Sequence, residues 1–143
     1  MSQLTNPTDV RFFASCLYHD ENLLDKLINQ KFDTLKVLKP EFNPLTDYYT
    51  KEMGEGLKRK ILIFDEVGRR ERLVDHKLWA DQLERETLKD GRRVINIDIG
   101  YIAKEQLLLA TGKPYSHRIY LERGVFAELV YTYSEKTFKS LPW

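Results

Sequence analysis

Arg92-Arg-Val-Ile-Asn-Ile-Asp-Ile-Gly-Tyr101 is the stretch around which the remaining sequence arranges itself. Ile95, Ile97 and Ile99 alternate with Asn96 and Asp98, the period of two expected of a half-buried β-strand. The isoleucines point to a core. Asn96 and Asp98 share the other face, roughly 7 Å apart, so one ligand could touch both. Gly100 lets the chain bend where a side chain would obstruct it. A strand whose solvated face carries two polar residues would look the same, since half-covered sheets have polar outer faces.

Upstream, residues 1–9 read as a loose leader, so the organisation is a flexible leader over 1–10 and one α+β domain over 11–143. Arg11 to Tyr18 is apolar on both faces, which predicts a central strand. Asp20 can cap a helix whose stripe is Leu23, Leu24, Leu27 and Ile28, ending near Phe32. Asp33 to Phe42 predicts an edge strand limited by Pro40. Residues 43–56 form a long connection rich in turn formers and aromatics, and such connections tend to be functional or mobile. Leu57 to Val67 reads as a strand and Arg69 to Lys89 as a helix, with a turn at Asp90-Gly91.

Downstream of the organising strand, Lys104 to Ala110 predicts a short apolar helix. Ser116 to Glu122 and Val125 to Tyr133 predict a hairpin closed by Arg123-Gly124. The order strand, helix, strand, strand, helix, strand, hairpin matches a two-layer α+β sandwich. Its core would be a ferredoxin-like βαββαβ unit with a C-terminal β-hairpin extension.

The chain has 143 residues, enough for one core without staples. With 23 Lys plus Arg against 22 Asp plus Glu, it has no global field to draw it onto a polyanion. One cysteine, Cys16, excludes an internal disulfide and a cysteine-rich zinc cage. The N-terminus lacks the basic and apolar regions of a signal peptide, and no apolar run approaches the ~20 residues of a membrane span. A cytoplasmic location and no membrane partner are the expectation.

Fragments of nucleotide motifs occur. Asp65-Glu66-Val67-Gly68 spells DxxG after an apolar strand, but reads as a plain strand end. A P-loop would need G-x-x-x-x-G-K-[ST]. Gly112-Lys113 has Leu107 in place of the first Gly and Pro114 in place of the hydroxyl, so no P-loop nucleotide site exists. His19, His76 and His117 show no metal-ligand spacing. His76 reads as a surface residue. His117 alternates with Ile119 and Leu121, which would turn it inward. Arg118 can fork onto a carboxylate or phosphate, or pair with Asp98 or Glu128. Basic clusters at Lys58-Arg59-Lys60, Arg69-Arg70-Glu71-Arg72 and Arg92-Arg93 make an RNA patch conceivable, although each has acids close by.

Taken together, Thr46-Asp-Tyr-Tyr-Thr-Lys-Glu-Met-Gly54, Arg93-Val-Ile-Asn-Ile-Asp-Ile-Gly-Tyr101 and His117-Arg-Ile-Tyr-Leu121 resemble a prokaryotic family. It is known as domain of unknown function four-four-one-six, and some members are labelled GTP-binding protein. The likeness runs from about Arg11 to Trp143. It implies a Pro where Ile99 stands and a short Tyr- and Asp-containing tail after Trp143, neither of which this sequence has. It also implies one shared site among Asp47, Tyr48, Tyr49, Glu52, Asn96, Asp98, Tyr101, His117 and Arg118.

The expectation is a polar cleft for a small anionic ligand, phosphorylated or a nucleotide. Asp47, Tyr48, Tyr49, Asn96, Tyr101 and Arg118 would bind it, Arg118 holding the anion. Asp98 or His117 would be the acid/base group. Asp47, Glu52 and Asp98 could instead gather a divalent cation, since hard ions take oxygen ligands. The alternative is a non-catalytic module that binds protein or RNA through its basic clusters and exposed tyrosines.

Overall fold

A computed structural model describes residues 1–40 and 49–143. Its described residues form eight strands and three helices, a mixed α+β chain built on an antiparallel sheet. The strands are β1 (Val10–Tyr18), β2 (Thr34–Leu38), β3 (Lys58–Gly68), β4 (Ile95–Ile102), β5 (Gln106–Thr111), β6 (Arg118–Glu122), β7 (Val125–Ser134) and β8 (Thr137–Ser140). The helices are α1 (Glu21–Ile28), α2 (Thr50–Met53) and α3 (Arg72–Glu86). Strand order is β2-β3-β1-β4-β5-β7-β6, with β8 paired to β7 beyond the reach of β6.

β1 is central because both of its faces are apolar. Val10, Phe12, Ala14, Cys16 and Tyr18 join Leu24 and Ile28 of α1 and Leu73, Val74, Ala80 and Leu83 of α3 in the main core. Leu17, on the other face, packs with Met53 of α2 and with Leu57. α1 starts where Asp20 accepts a hydrogen bond from the Leu23 N–H at 3.1 Å. β4 pairs with β1 along its whole length, from Arg11↔Ile102 to Tyr18↔Ile95, so Ile95, Ile97 and Ile99 lie in the core as their spacing requires.

The β6–β7 turn has positive φ at Arg123 and Gly124, and the turn after α3 has it at Asp90 and Gly91. Both match the mirror-image turn that suits tight antiparallel connections. Glu135 and Lys136 adopt the same left-handed conformation and lead into β8, a strand the turn residues do not announce.

Three expectations are corrected. Residues 104–110 do not form a helix: Leu107 to Ala110 belong to β5, sandwiched between β4 and β7. A run of four apolar residues has no period, and here the pairing partners on both sides decide. His76 is not at the surface. It is 4% exposed, wedged edge-on against Phe12 and Phe32, and its Nε2 lies 2.5 Å from Glu66 Oε2. His117 does not point inward alongside Ile119 and Leu121. Among the described residues β6 pairs only with β7, and on that outer strand Ile119 is 72% exposed.

DxxG is the end of β3, as expected: Glu66 binds His76 and Arg72, and Gly68 pairs with Val10. The basic clusters are largely spent on acids. Lys60 is buried against Asp25 and Glu21, Arg70 binds Glu105, Arg72 binds Glu66, and Arg93 binds Glu52 and Glu84.

Candidate functional site

The site arises from a parting in the sheet. β5 pairs with β4 only at Gly100↔Leu109, Tyr101↔Leu108 and Ile102↔Leu107. Beyond Gly100 the first half of β4 keeps β1 but loses β5, while β5 stays with β7 as far as Thr111. The strands are pinned at Gly100, where an added Cβ would lie 2.2 Å from the Leu108 carbonyl oxygen and 2.7 Å from the Phe13 ring. From that pin a cleft of about 390 Å³ opens. Asn96 and Asp98 line one side, Thr111 and Lys113 the other, with Arg118 and Glu128 from the hairpin and Lys77, Asp81 and Glu84 from α3.

An unpaired β4 edge would leave the Ile97 N–H without an acceptor in a buried place, which costs about 1–3 kcal/mol. Glu84 supplies the acceptor: its Oε2 takes the Ile97 N–H at 2.7 Å. Burial pushes the Glu84 carboxyl up from its ordinary range, and the Ile97 N–H, Lys77 and Arg93 oppose that rise. The Arg93 guanidinium lies beside it. Nη1 donates to Glu84 Oε1 at 3.3 Å and to Asn96 Oδ1 at 2.7 Å, while Nε and Nη2 grip both oxygens of Glu52 at 2.6 and 2.8 Å. That fork holds the Glu52 carboxyl below its usual range. With its Oδ1 turned to Arg93, Asn96 presents Nδ2 to Asp98 Oδ2 at 3.2 Å. The chain Glu52–Arg93–Asn96–Asp98 thus orients the two polar residues of β4.

Across the cleft Arg118 is equally constrained. Nε donates to Glu128 Oε1 at 3.4 Å, Nη1 to Thr111 Oγ1 at 3.2 Å and to the Lys113 carbonyl at 3.0 Å. Its guanidinium lies 4.4 Å from the centre of the Tyr115 ring, within cation–π range. His117 Nε2 meets the same Glu128 oxygen at 2.5 Å, and its ring stacks on Trp143. Arg118 and Asp98 are not paired with each other.

Of the residues picked from sequence, Tyr49, Asn96, Asp98 and Arg118 meet in this cleft. His117 stands behind it through Glu128, and Glu52 through Arg93. Tyr101 does not join them. It shares parity with the isoleucines and packs on Phe12 and under Arg70. Asp47 and Tyr48 lie outside the described residues. Glu84, Arg93, Lys77 and Thr111 are functional candidates the sequence reading missed, whereas Glu128 entered it as a partner for Arg118, and that pair is present. A signal existed for Glu84: with His76 it interrupts the inward stripe of Leu73, Ala80 and Leu83 at helical spacing.

A second cavity of about 790 Å³ lies on the other side of the Glu52–Arg93 pair, lined by His19, Lys89 and Arg92 among others. His19 Nε2 bonds the Met53 carbonyl at 2.6 Å and ties α2 to the end of β1.

Fold and site together define an α+β domain with an antiparallel sheet and a mixed-charge cleft where two of its strands part. The chain belongs to the family described as Domain of unknown function (DUF4416), whose profile matches residues 8–143. No curated protein and no solved structure matches it. Among the described residues no helix is long and apolar enough to cross a membrane.

Proposed function

We propose that this domain binds a small anionic ligand in the β4–β5 cleft, with Arg118 holding the anion and Asp98 the group able to move a proton. The observation that carries this reading is that Asp98 and Arg118, each fixed by neighbours, line one cleft without neutralising each other. Two opposed groups joined to each other would have been a structural ion pair. His117 has a supporting part, steadying Glu128 and through it Arg118. Glu52 stands apart from metal binding in this reading, because Arg93 occupies both its oxygens.

The fold part of the proposal is finer than an antiparallel α+β sheet. The order β4-β1-β3-β2, with α1 after β1 and α3 after β3, supports a ferredoxin-like core. β5 to β8 would then extend that sheet beyond β4. A single, buried Cys16 fits a reducing, cytoplasmic setting.

The test is a thermal-shift screen of the wild type, Asp98→Ala and Arg118→Met against inorganic phosphate, sugar phosphates and nucleotides, with and without Mg²⁺. A ligand at a hundred times its dissociation constant stabilises by about 2.7 kcal/mol. The expected result is one class that shifts the wild type and not the folded Arg118→Met variant. Failure of every class to shift the wild type would reject the reading.

A second reading has its own observation. Tyr120, Tyr133, Phe138 and Trp143 are exposed at the β6–β8 end of the sheet, as in a protein-interaction module. Since most of the basic clusters are engaged with acids, this surface favours a protein over RNA. RNA binding that weakens steeply with salt would reverse that preference.

A further inference from the structure

We infer that the ligand of the β4–β5 cleft is zwitterionic, carrying a cationic ammonium opposite its anionic group. This rests on the cleft reading above and narrows it. The lining carries as many acids as bases, and their pairing decides which are left to meet a ligand. Arg93 is matched with Glu52 and Glu84, Arg118 is tethered to Glu128, and Asp81 is bound by Arg85. Lys113, whose carbonyl accepts from Arg118, is engaged as well. Lys77 and Asp98 remain: both are half-buried, and neither forms an ion pair among the described residues. Asp98 accepts from Asn96 through Oδ2, and no described residue bonds its Oδ1. Likewise Arg118 donates through Nε and Nη1, and no described residue accepts from its Nη2.

The cleft therefore offers cationic groups, Arg118 Nη2 and Lys77, and an anionic acceptor, Asp98 Oδ1. A simple anion satisfies the first and leaves a half-buried carboxylate facing it. Like charge in a confined space of low dielectric is unfavourable. A ligand with one carboxylate or phosphate and one ammonium satisfies both sides. Asn96, locked by Arg93, keeps the Asp98 carboxylate from turning its free oxygen away.

The experiment uses the full chain and a ladder of ω-amino acids: β-alanine, 4-aminobutyrate and 6-aminohexanoate, with L-alanine for the α case. Each is paired with the carboxylate of the same length lacking the amine, and inorganic phosphate is added as a plain anion. Affinities are read by calorimetry or thermal shift. The expected result is a zwitterion that binds at least tenfold tighter than its matched carboxylate. Asp98→Asn is expected to abolish that preference. Arg118→Met, by contrast, is expected to weaken both members of the pair.

Equal binding of zwitterion and carboxylate, or a preference that survives Asp98→Asn, overturns the inference and leaves the anion cleft standing. No binding of any probe or of phosphate overturns the inference and the cleft together. Should Asp98→Asn fail to fold, the preference is read from wild-type binding of the matched pair alone.

Discussion

The Glu84 carboxylate takes the place of a missing strand: its Oε2 accepts the Ile97 N–H at 2.7 Å, on the part of β4 that β5 does not reach. A sheet that parts must satisfy the edge it exposes, and here a helix side chain does so. Glu84→Ala removes the acceptor and one partner of Arg93, and is expected to cost about 1–3 kcal/mol. Glu84→Gln keeps an acceptor for Ile97 and should cost less. Urea unfolding of the two variants checks this, and equal midpoints for Glu84→Ala and wild type would refute it.

Gly100 is the pin at which the cleft closes. A methyl there meets the Leu108 carbonyl at 2.2 Å, backbone that cannot swing aside, and the Phe13 ring at 2.7 Å. Gly100→Ala is expected to destabilise by about 1–3 kcal/mol or more, as overpacked sites do. Gly112→Ala, whose added Cβ meets nothing within 4 Å, should stay within about 0.5 kcal/mol. Denaturant midpoints of the pair decide it, since similar losses at both positions would rule out the close approach as the cause.

His76 makes stability depend on pH. Burial lowers its pKa from the ordinary imidazole value, with Glu66 opposing. The unfolded chain therefore takes up a proton, near pH 6.5, that the fold resists. The stabilisation is present above that value and is lost as pH falls through it towards the lowered folded pKa. The difference in unfolding free energy between wild type and His76→Phe should move against the wild type between pH 7.5 and 5.5. A difference independent of pH would show that Glu66 compensates burial in full.

Cys16 should be silent until the protein unfolds. It lies in the core on β1, and burial together with the nearby Asp98 carboxylate pushes its thiol well above the ordinary range. Only the thiolate reacts. Labelling with a disulfide reagent should follow the global unfolding rate across a urea series, whereas fast labelling in native buffer would place the thiol at an opening the fold does not have.

What is legible in the sequence is local. The alternation of Ile95, Ile97 and Ile99, the Asp20 cap and the Arg123-Gly124 turn each act within a few residues, and each is where it was expected. Leu107 to Ala110 was illegible, because an aperiodic apolar run takes its structure from its neighbours, and β4 and β7 make it a strand. The Glu135-Lys136 turn was illegible for another reason: neither residue favours positive φ by itself, and the pairing of β8 with β7 accompanies it.

The site divides along the same line. That Asn96 and Asp98 share a face follows from their spacing alone, because strand geometry alternates side chains whatever surrounds them. The parting of β4 and β5, the Glu84 carboxylate on the exposed edge, and the presence of Arg118 in the cleft with Asp98 depend on the assembled fold. Strand order and register join residues far apart in the chain, and they are settled by which surfaces bury one another.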